Sequence, residues 1–433
     1  MRPVDDMVSL IYNPKFGIVF TNGETWKSQR KTFVRLLKKT GFQKSHLKSV
    51  IEHIWHKMKE PLTTAPSIVV ELNEPMKSSK NESLEKVELA LMELLTLIFA
   101  NKATFPGGNV PRDYLENFNT YRTCGVQWID ANALWYRYPI LRHLAPHWSG
   151  FVWITDMIGK TEQNLNEIVS LHKNEKEGEK EGKDVAYIES YLEEIDRTVG
   201  EDAKSDGHRA LIASLEDLLL GADGIVMALY SLLYCLARNP HVQEEMRKEI
   251  REGQETESET LPYCRAVILE TLRYIPQGGI GPQHYSEEDI LLDGFKIPAG
   301  TDVYPNVMGI FQSKEHWDEP NVFNPKRFLD QDGQLLHPKC WIPFSIGDRT
   351  CPAKSFSQDV LFMLGVKMVT ELELSFDGFV DEGVSAVNEL KYYGMSLVHI
   401  HPFKMAVRAL HGKDHDISVA DIRRSRSTRT QGL

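Results

Sequence analysis

The chain has 433 residues, 42% hydrophobic and 26% charged, with a formal net charge of −11. That length holds one large domain or two to three average ones, the composition is ordinary for a globular protein, and the negative charge argues against nucleic acid as a general partner. The cysteines (Cys124, Cys235, Cys264, Cys340 and Cys351) are sparse, odd in number and show no CxxC pair, which argues against a disulfide framework or a zinc site and suits a reducing compartment. No run approaches the ~20 apolar residues of a membrane span, and the opening MRPVDDMVSLIYNPKFG lacks the apolar core of a signal peptide.

In chain order, 26–39 reads as a basic amphipathic helix and 83–101 (SLEKVELALMELLTLIFAN) as a strongly apolar-periodic one. A further helix is expected over 152–173. The run 172–184 (HKNEKEGEKEGKD) has almost nothing to bury, which predicts a solvated loop. A short amphipathic helix follows in DVAYIESYLEEI. Residues 211–238 are apolar nearly all round, predicting a helix buried through the middle of the protein, ended at Asn239-Pro240. HVQEEMRKEIREG and LPYCRAVILETLRYIP are two further helices, the second stopped by Pro276. From 277 to 345 short strands, Pro and Gly dominate, and ILLDGFKIPAGTDVYPN reads as a hairpin region. The last long helix covers 355–372, strands follow to about 407, and 410–433 form a polar tail expected to be disordered. The order is a large helical body with a small β portion, one domain over 1–409, with no repeats and no regular βαβ alternation.

The stretch FSIGDRTCPAK, 344–354, carries the first chemical signal. Gly347 permits a tight turn or close backbone approach. Pro352 suits the first position of a helix, which puts Cys351 at a helix N-terminus, where the dipole and free N–H groups stabilise a thiolate. Arg349 adds positive charge, and Phe344 shields one side of the sulfur. A nucleophile and a metal ligand both fit that environment. A second signal is ETLR: Glu270 and Arg273, at i and i+3, share one face of a helix that also carries Ala266, Val267, Leu269 and Leu272. Such pairs are usually surface ion pairs of little energetic weight, but this apolar face points to burial. FNPKRF supplies Arg327 downstream.

Together these stretches resemble the cytochrome P450 family of haem-thiolate monooxygenases. FSIGDRTCPAK resembles its cysteine loop, ETLR its Glu-x-x-Arg motif, FNPKRF its Pro-Glu-Arg-Phe segment and GETWKSQRKTF its Trp-x-x-x-Arg motif. GADG at 221–224 falls where the family kinks its oxygen-activating helix. The resemblance runs from about 10 to 407 and is nearest in texture to the animal microsomal drug- and steroid-hydroxylating group. It implies the mainly α P450 fold with a small β portion, haem b as cofactor, and Cys351 as the axial iron ligand. It also implies Trp26 and Arg30 on one haem propionate, Arg349 and His284 at further propionate-binding positions, and Phe344 beside the cofactor. Asp223 matches the family's catalytic acid, and Glu270, Arg273 and Arg327 match a buried structural triad. Trp128 and Met227 read as core. By the same resemblance, electrons come from NADPH through a cytochrome P450 reductase, with cytochrome b5 as a further partner. The reductase would dock on a basic face that includes Lys27, Arg30, Lys31 and Arg35. The substrate is a small apolar molecule, with pocket contacts expected in 115–135, 209–225, 276–282 and 394–398. The location implied is the cytosolic face of the endoplasmic reticulum membrane.

The chain departs from the family pattern in three ways. Gly224 stands where a Thr normally helps deliver protons to dioxygen. That leaves open Asp223 with water, a substrate hydroxyl, peroxide-dependent or isomerase chemistry, or a mere relaxation of the helix. Ala353 replaces a Gly. The sequence begins just after the family's helix B, so an anchor, helix A, the first strands and helix B are expected to be missing, leaving an unpaired sheet edge and, as a further possibility, a truncated inactive form.

Overall fold

The computed structural model describes residues 15–40, 44–64, 68–70, 82–100, 104–105, 108–128, 134–174, 186–198, 200, 203–255, 260–379, 390–393 and 397–410. The helical body comprises α1 (Gly23–Lys39), α2 (Lys44–Thr64), α3 (Glu82–Ala100), α4 (Arg112–Trp128), α5 (Leu134–Arg137), α6 (Leu141–Leu144), α7 (Phe151–Asn174), α8 (Tyr187–Thr198), α9 (Lys204–Arg238), α10 (Pro240–Glu255) and α11 (Pro262–Tyr274), with strand β1 (Ile68–Val70) between α2 and α3. The remainder comprises β2 (His284–Tyr285), β3 (Ile290–Leu292), β4 (Phe295–Ile297), β5 (Asp302–Val303), α12 (Val307–Gln312), α13 (Lys354–Glu371), β6 (Leu372–Phe379), β7 (Leu390–Tyr393), β8 (Leu397–Ile400) and β9 (Phe403–Ala409). The fold is mainly α with a small β portion.

α9 is the axis of the molecule. Apolar residues cover it on all sides from Leu211 onward, and it packs against α3, α4, α8, α11, α13 and β6. It begins at Lys204, two turns before the expected start. Its first turns (KSDGHRA) are mostly unburied and carry no apolar periodicity to read. The helix is unbroken through Gly221–Gly224. Helix α2 is absent from the sequence-based expectation, although Leu47, Val50, Ile51, Ile54, Trp55, Met58 and Leu62 recur at helical spacing and are all buried, packed on α3. The run 172–184 begins inside helix, since α7 continues to Asn174; 175–184 and the tail beyond 410 lie outside the described residues.

The largest sheet is antiparallel, in the order β1-β9-β6, with Ile68 opposite Met405 and Leu374 opposite Val407. Phe403, Met405 and Val407 alternate into the core, as the two-residue period of a strand requires. Gln243 of α10 bolts this sheet to α9: its Nε2 donates to the carbonyls of Leu236 and Leu374, and its Oε1 accepts from Leu374 N–H. The hairpin expected over 290–306 divides. β3 and β4 pair through a tight turn at Asp293-Gly294 (φ 47° and 84°), the left-handed pair that suits a two-residue hairpin. β5 instead pairs with β2, Asp302 opposite Tyr285.

Glu270 and Arg273 are buried, with side chains 0% and 1% exposed. Arg273 donates through Nε to Glu270 Oε2 (2.6 Å) and through Nη2 to Oε1 (2.8 Å). Arg327 Nε adds a third bond to Oε1 at 3.1 Å, and Asn324 N–H a fourth at 2.9 Å. The remaining guanidinium hydrogens reach the carbonyls of Phe311, Asp318 and Val322. The carboxylate therefore fastens α11 to the 3-10 turn Pro325–Phe328. Removing one partner of a buried ion pair strands the other charge in a desolvated site. Glu270→Ala is therefore expected to lower stability by about 3–5 kcal/mol, read as a lower denaturant midpoint; a change below 1 kcal/mol would show that water reaches Arg273.

Candidate active site

The cysteine loop is held by its own backbone. Cys351 N–H donates to Phe344 O at 2.9 Å, and a 3-10 turn, Gly347–Arg349, lies between them. Ser345 and Gly347 occupy left-handed backbone (φ 60° and 72°), which glycine adopts without cost. Phe344 packs edge-on against Trp341 at 6.1 Å, and Trp341 Nε1 donates to Leu269 O of α11. The loop is thus tied to the same helix that carries Glu270.

Two expectations about this loop are corrected. Helix α13 starts at Lys354, so Pro352 is not its first residue and Cys351 precedes it by a turn. The residues around the sulfur also differ from those expected. Arg349 turns away from it, donating to the carbonyls of Ile18 and Thr21 and to Asn22 Oδ1. The cation near the sulfur is Arg30, whose Nη2 donates to Thr350 O. Burial pushes the Cys351 thiol up, while the Ala353 amide and Arg30 pull it down. Ala353 sits at φ −92°, a conformation open to any residue, so its methyl is accommodated.

Two guanidinium groups lie near the Trp26 ring of α1: Arg349 Cζ is 3.9 Å from its centroid and Arg30 Cζ 5.7 Å. Its buried Nε1 finds no hydrogen-bond partner among the described residues. A buried indole N–H without an acceptor, beside two cations, is a donor set that fits an anionic group such as a haem propionate. His284 is half-buried on β2, paired with Val303. Among the docking candidates, Lys27 is paired with Glu24 (2.6 Å) and Arg35 with Glu194 of α8 (2.6 Å), while Lys31 is exposed.

On α9, Asp223 is buried in a network that sequence reading missed. Arg122 of α4 donates to Asp223 Oδ1 at 2.8 Å and lies 3.0 Å from Glu88 Oε2 of α3. Glu88 also accepts from Asn119 Nδ2 and from Tyr230 O–H. Burial opposes the Arg122 charge, but Glu88 and Asp223 outweigh it and raise its pKa. Burial raises the Asp223 carboxyl, with Arg122 pulling the other way. The available signal was the placing of Glu88 and Arg122, each three or four residues from apolar positions on its helix. Gly224 has ordinary helical backbone, and a Cβ there would meet nothing within 4 Å. Neither strain nor crowding therefore demands glycine, and its place leaves open space beside Asp223. Of the segments expected to line a pocket, 129–133 and 394–396 lie outside the described residues.

The family model described as Cytochrome P450 matches residues 2–385. Curated relatives include the protein named Probable cytochrome P450 303a1 of Drosophila melanogaster, 25% identical over 89% of this chain and 77% of its own length. Farnesoate epoxidase of Bombyx mori is 24% identical over 84% of this chain and 71% of its own. Cytochrome P450 2J1 of Oryctolagus cuniculus is 26% identical over 81% and 67%.

Arg122→Met keeps the volume but strands Glu88 and Asp223 without a cation. Stability is expected to fall by about 3–5 kcal/mol at pH 8. Burial already raises the Asp223 carboxyl, and without the cation that pulls it down it rises further, so the loss shrinks as pH falls. Urea midpoints at pH 8 and pH 5 check this; an equal loss at both values would place the effect in packing.

Proposed function

The chain belongs to the cytochrome P450 family, and from that premise we propose that it is a haem-thiolate monooxygenase that inserts one oxygen atom from dioxygen into a small apolar substrate, with electrons from NADPH through a flavoprotein reductase. The observation that carries the site assignment is the buried Trp26 Nε1, without a partner among the described residues, beside Arg349 and beside Arg30, which bonds Thr350 of the cysteine loop. Haem, when bound, supplies the oxygen and redox chemistry. In this reading the Cys351 thiolate would ligate the haem iron, Trp26 Nε1 and Arg349 would hold a propionate, and His284 would meet a second one. Arg30 holds the ligand loop through Thr350 and sets a positive charge near the sulfur. Phe344 and Trp341 exclude water from one side of the loop.

The reductase, and cytochrome b5 with it, would meet α1 through Lys31, Lys27 and Arg35, exchanging their present partners Glu24 and Glu194 for acidic groups of the partner. A fatty-acid-like, steroid or xenobiotic substrate is consistent with relatives one of which is named for farnesoate. Association with the endoplasmic reticulum membrane follows by analogy with that group. The described helix long and apolar enough to cross a membrane is α9, but 78% of its apolar window is buried inside the protein, as in a core helix.

A second reading is a peroxide-dependent or isomerase-type enzyme. It is favoured by the missing hydroxyl at Gly224 together with the pairing of Asp223 Oδ1 with Arg122. The first test is the ferrous carbon monoxide difference spectrum of the purified chain, with Cys351→Ala as control. A red-shifted Soret band that the control loses is the expected result. Absence of haem, or a band identical in the control, would sink the assignment and favour an inactive form. With the band in hand, turnover with an organic hydroperoxide but none with NADPH and reductase would select the second reading.

A further inference from the structure

Residues 17–22 cross from the central helix to the cysteine loop, and each end is held by a different group. Ile18 is the crossing point. Its N–H donates to Asp217 Oδ2 of α9 at 2.5 Å, and its carbonyl accepts from Arg349 at 3.3 Å. Val19 N–H also reaches the Asp217 carboxylate. Arg349 takes the Thr21 carbonyl at 2.9 Å and Asn22 Oδ1 at 3.0 Å. Thr21 Oγ1 closes the segment on itself by donating to Gly17 O at 2.6 Å. Gly17 is required on two counts: its φ is +82°, and a Cβ would stand 2.7 Å from Asp217 Oδ2.

We propose that Asp217 is a positioning residue that latches residues 17–22 as a strap between α9 and the Cys351 loop, closing one edge of the site, and that the strap opens when Asp217 ionises. The closure of a catalytic site rests on the haem-thiolate reading; the latch itself does not.

The latch is unusual in what it lacks. Among the described residues the carboxylate is held by two amide N–H groups and by no cation. The ionisable groups facing it are Tyr187 and Tyr191 of α8 and its neighbour Glu216, all of which are neutral or negative. Burial therefore dominates and pushes the Asp217 carboxyl up to about 7, although both amides pull it down. A neutral carboxyl still accepts from Ile18 N–H, so the closed strap favours the protonated form. An open strap returns Asp217 to water and to an ordinary value near 3.8. By linkage, closure is strongest in acid and weakens as pH rises through about 7; opening should increase roughly tenfold between pH 6 and pH 8.

Hydrogen–deuterium exchange of the full chain tests this in peptides covering residues 16–22, corrected for the intrinsic pH dependence of exchange. The wild type is expected to exchange about tenfold faster at pH 8 than at pH 6. Asp217→Asn, neutral and isosteric, should stay protected at both values. Asp217→Ala should exchange fast at both, while peptides from 225–237 remain protected and report an intact core. If the Ala variant does not fold, Gly17→Ala, which drives a methyl against Asp217, takes its place with the same expected outcome. A wild-type pH dependence retained by the Asn variant, or full protection in the Ala or Gly17→Ala variant, overturns the proposal. The readout needs no haem, so its failure is distinguishable from failure of the carbon monoxide test.

Discussion

Burial of most of α9 sets the terms for the charges it carries, because moving a carboxylate out of water costs several kcal/mol unless a partner is supplied. Two of the acids the helix carries, Asp223 and Asp217, are answered differently. Asp223 receives a guanidinium from α4, shared with Glu88 of α3, so three helices are fastened through one cation. Among the described residues Asp217 receives only the amides of Ile18 and Val19, so a loop is fastened through a neutral dipole pair. The first arrangement is a permanent joint. The second leaves the carboxylate close to its neutral form.

The same logic explains the side that carries the cysteine loop. Glu270 gathers Arg273, Arg327 and a backbone N–H, which anchors α11, and α11 in turn holds Trp341 and through it the cysteine loop. Arg30 and Arg349 approach that loop from opposite duties. One holds its carbonyl at Thr350, and the other leaves it to hold residues 18–22. Both pack on Trp26, so a single indole joins the loop, α1 and the strap. The buried Trp26 N–H has no acceptor among the described residues.

Gly224 acquires meaning only beside these joints. A glycine inside a helix costs about 1 kcal/mol relative to alanine, and here no close neighbour or left-handed backbone repays it. With the neighbouring acid engaged by Arg122, the proposed oxygen chemistry would depend at this point of α9 on a proton from substrate, water or a released Asp223. That dependence is why the monooxygenase and peroxide readings diverge at this residue and nowhere else in the site.

Much of this was legible in the residues themselves. The all-round apolar run over 211–238 determined a central helix, because such a surface has no stable place but the interior. The pairing of Glu270 with Arg273 followed from spacing on one helix face. The cysteine loop was recognisable because its glycine, arginine and cysteine are local in sequence. Helix α2 was equally legible from its periodicity and was overlooked. What the sequence alone did not decide were the long-range choices: that Arg30 rather than Arg349 faces the sulfur, that Arg122 captures Asp223 across 101 residues, and that Asp217 meets Ile18 across 199. Local propensity and spacing act over a few residues. The partner of a buried charge is chosen by whichever donor the packed helices bring within about 3 Å, and only the tertiary structure sets that distance.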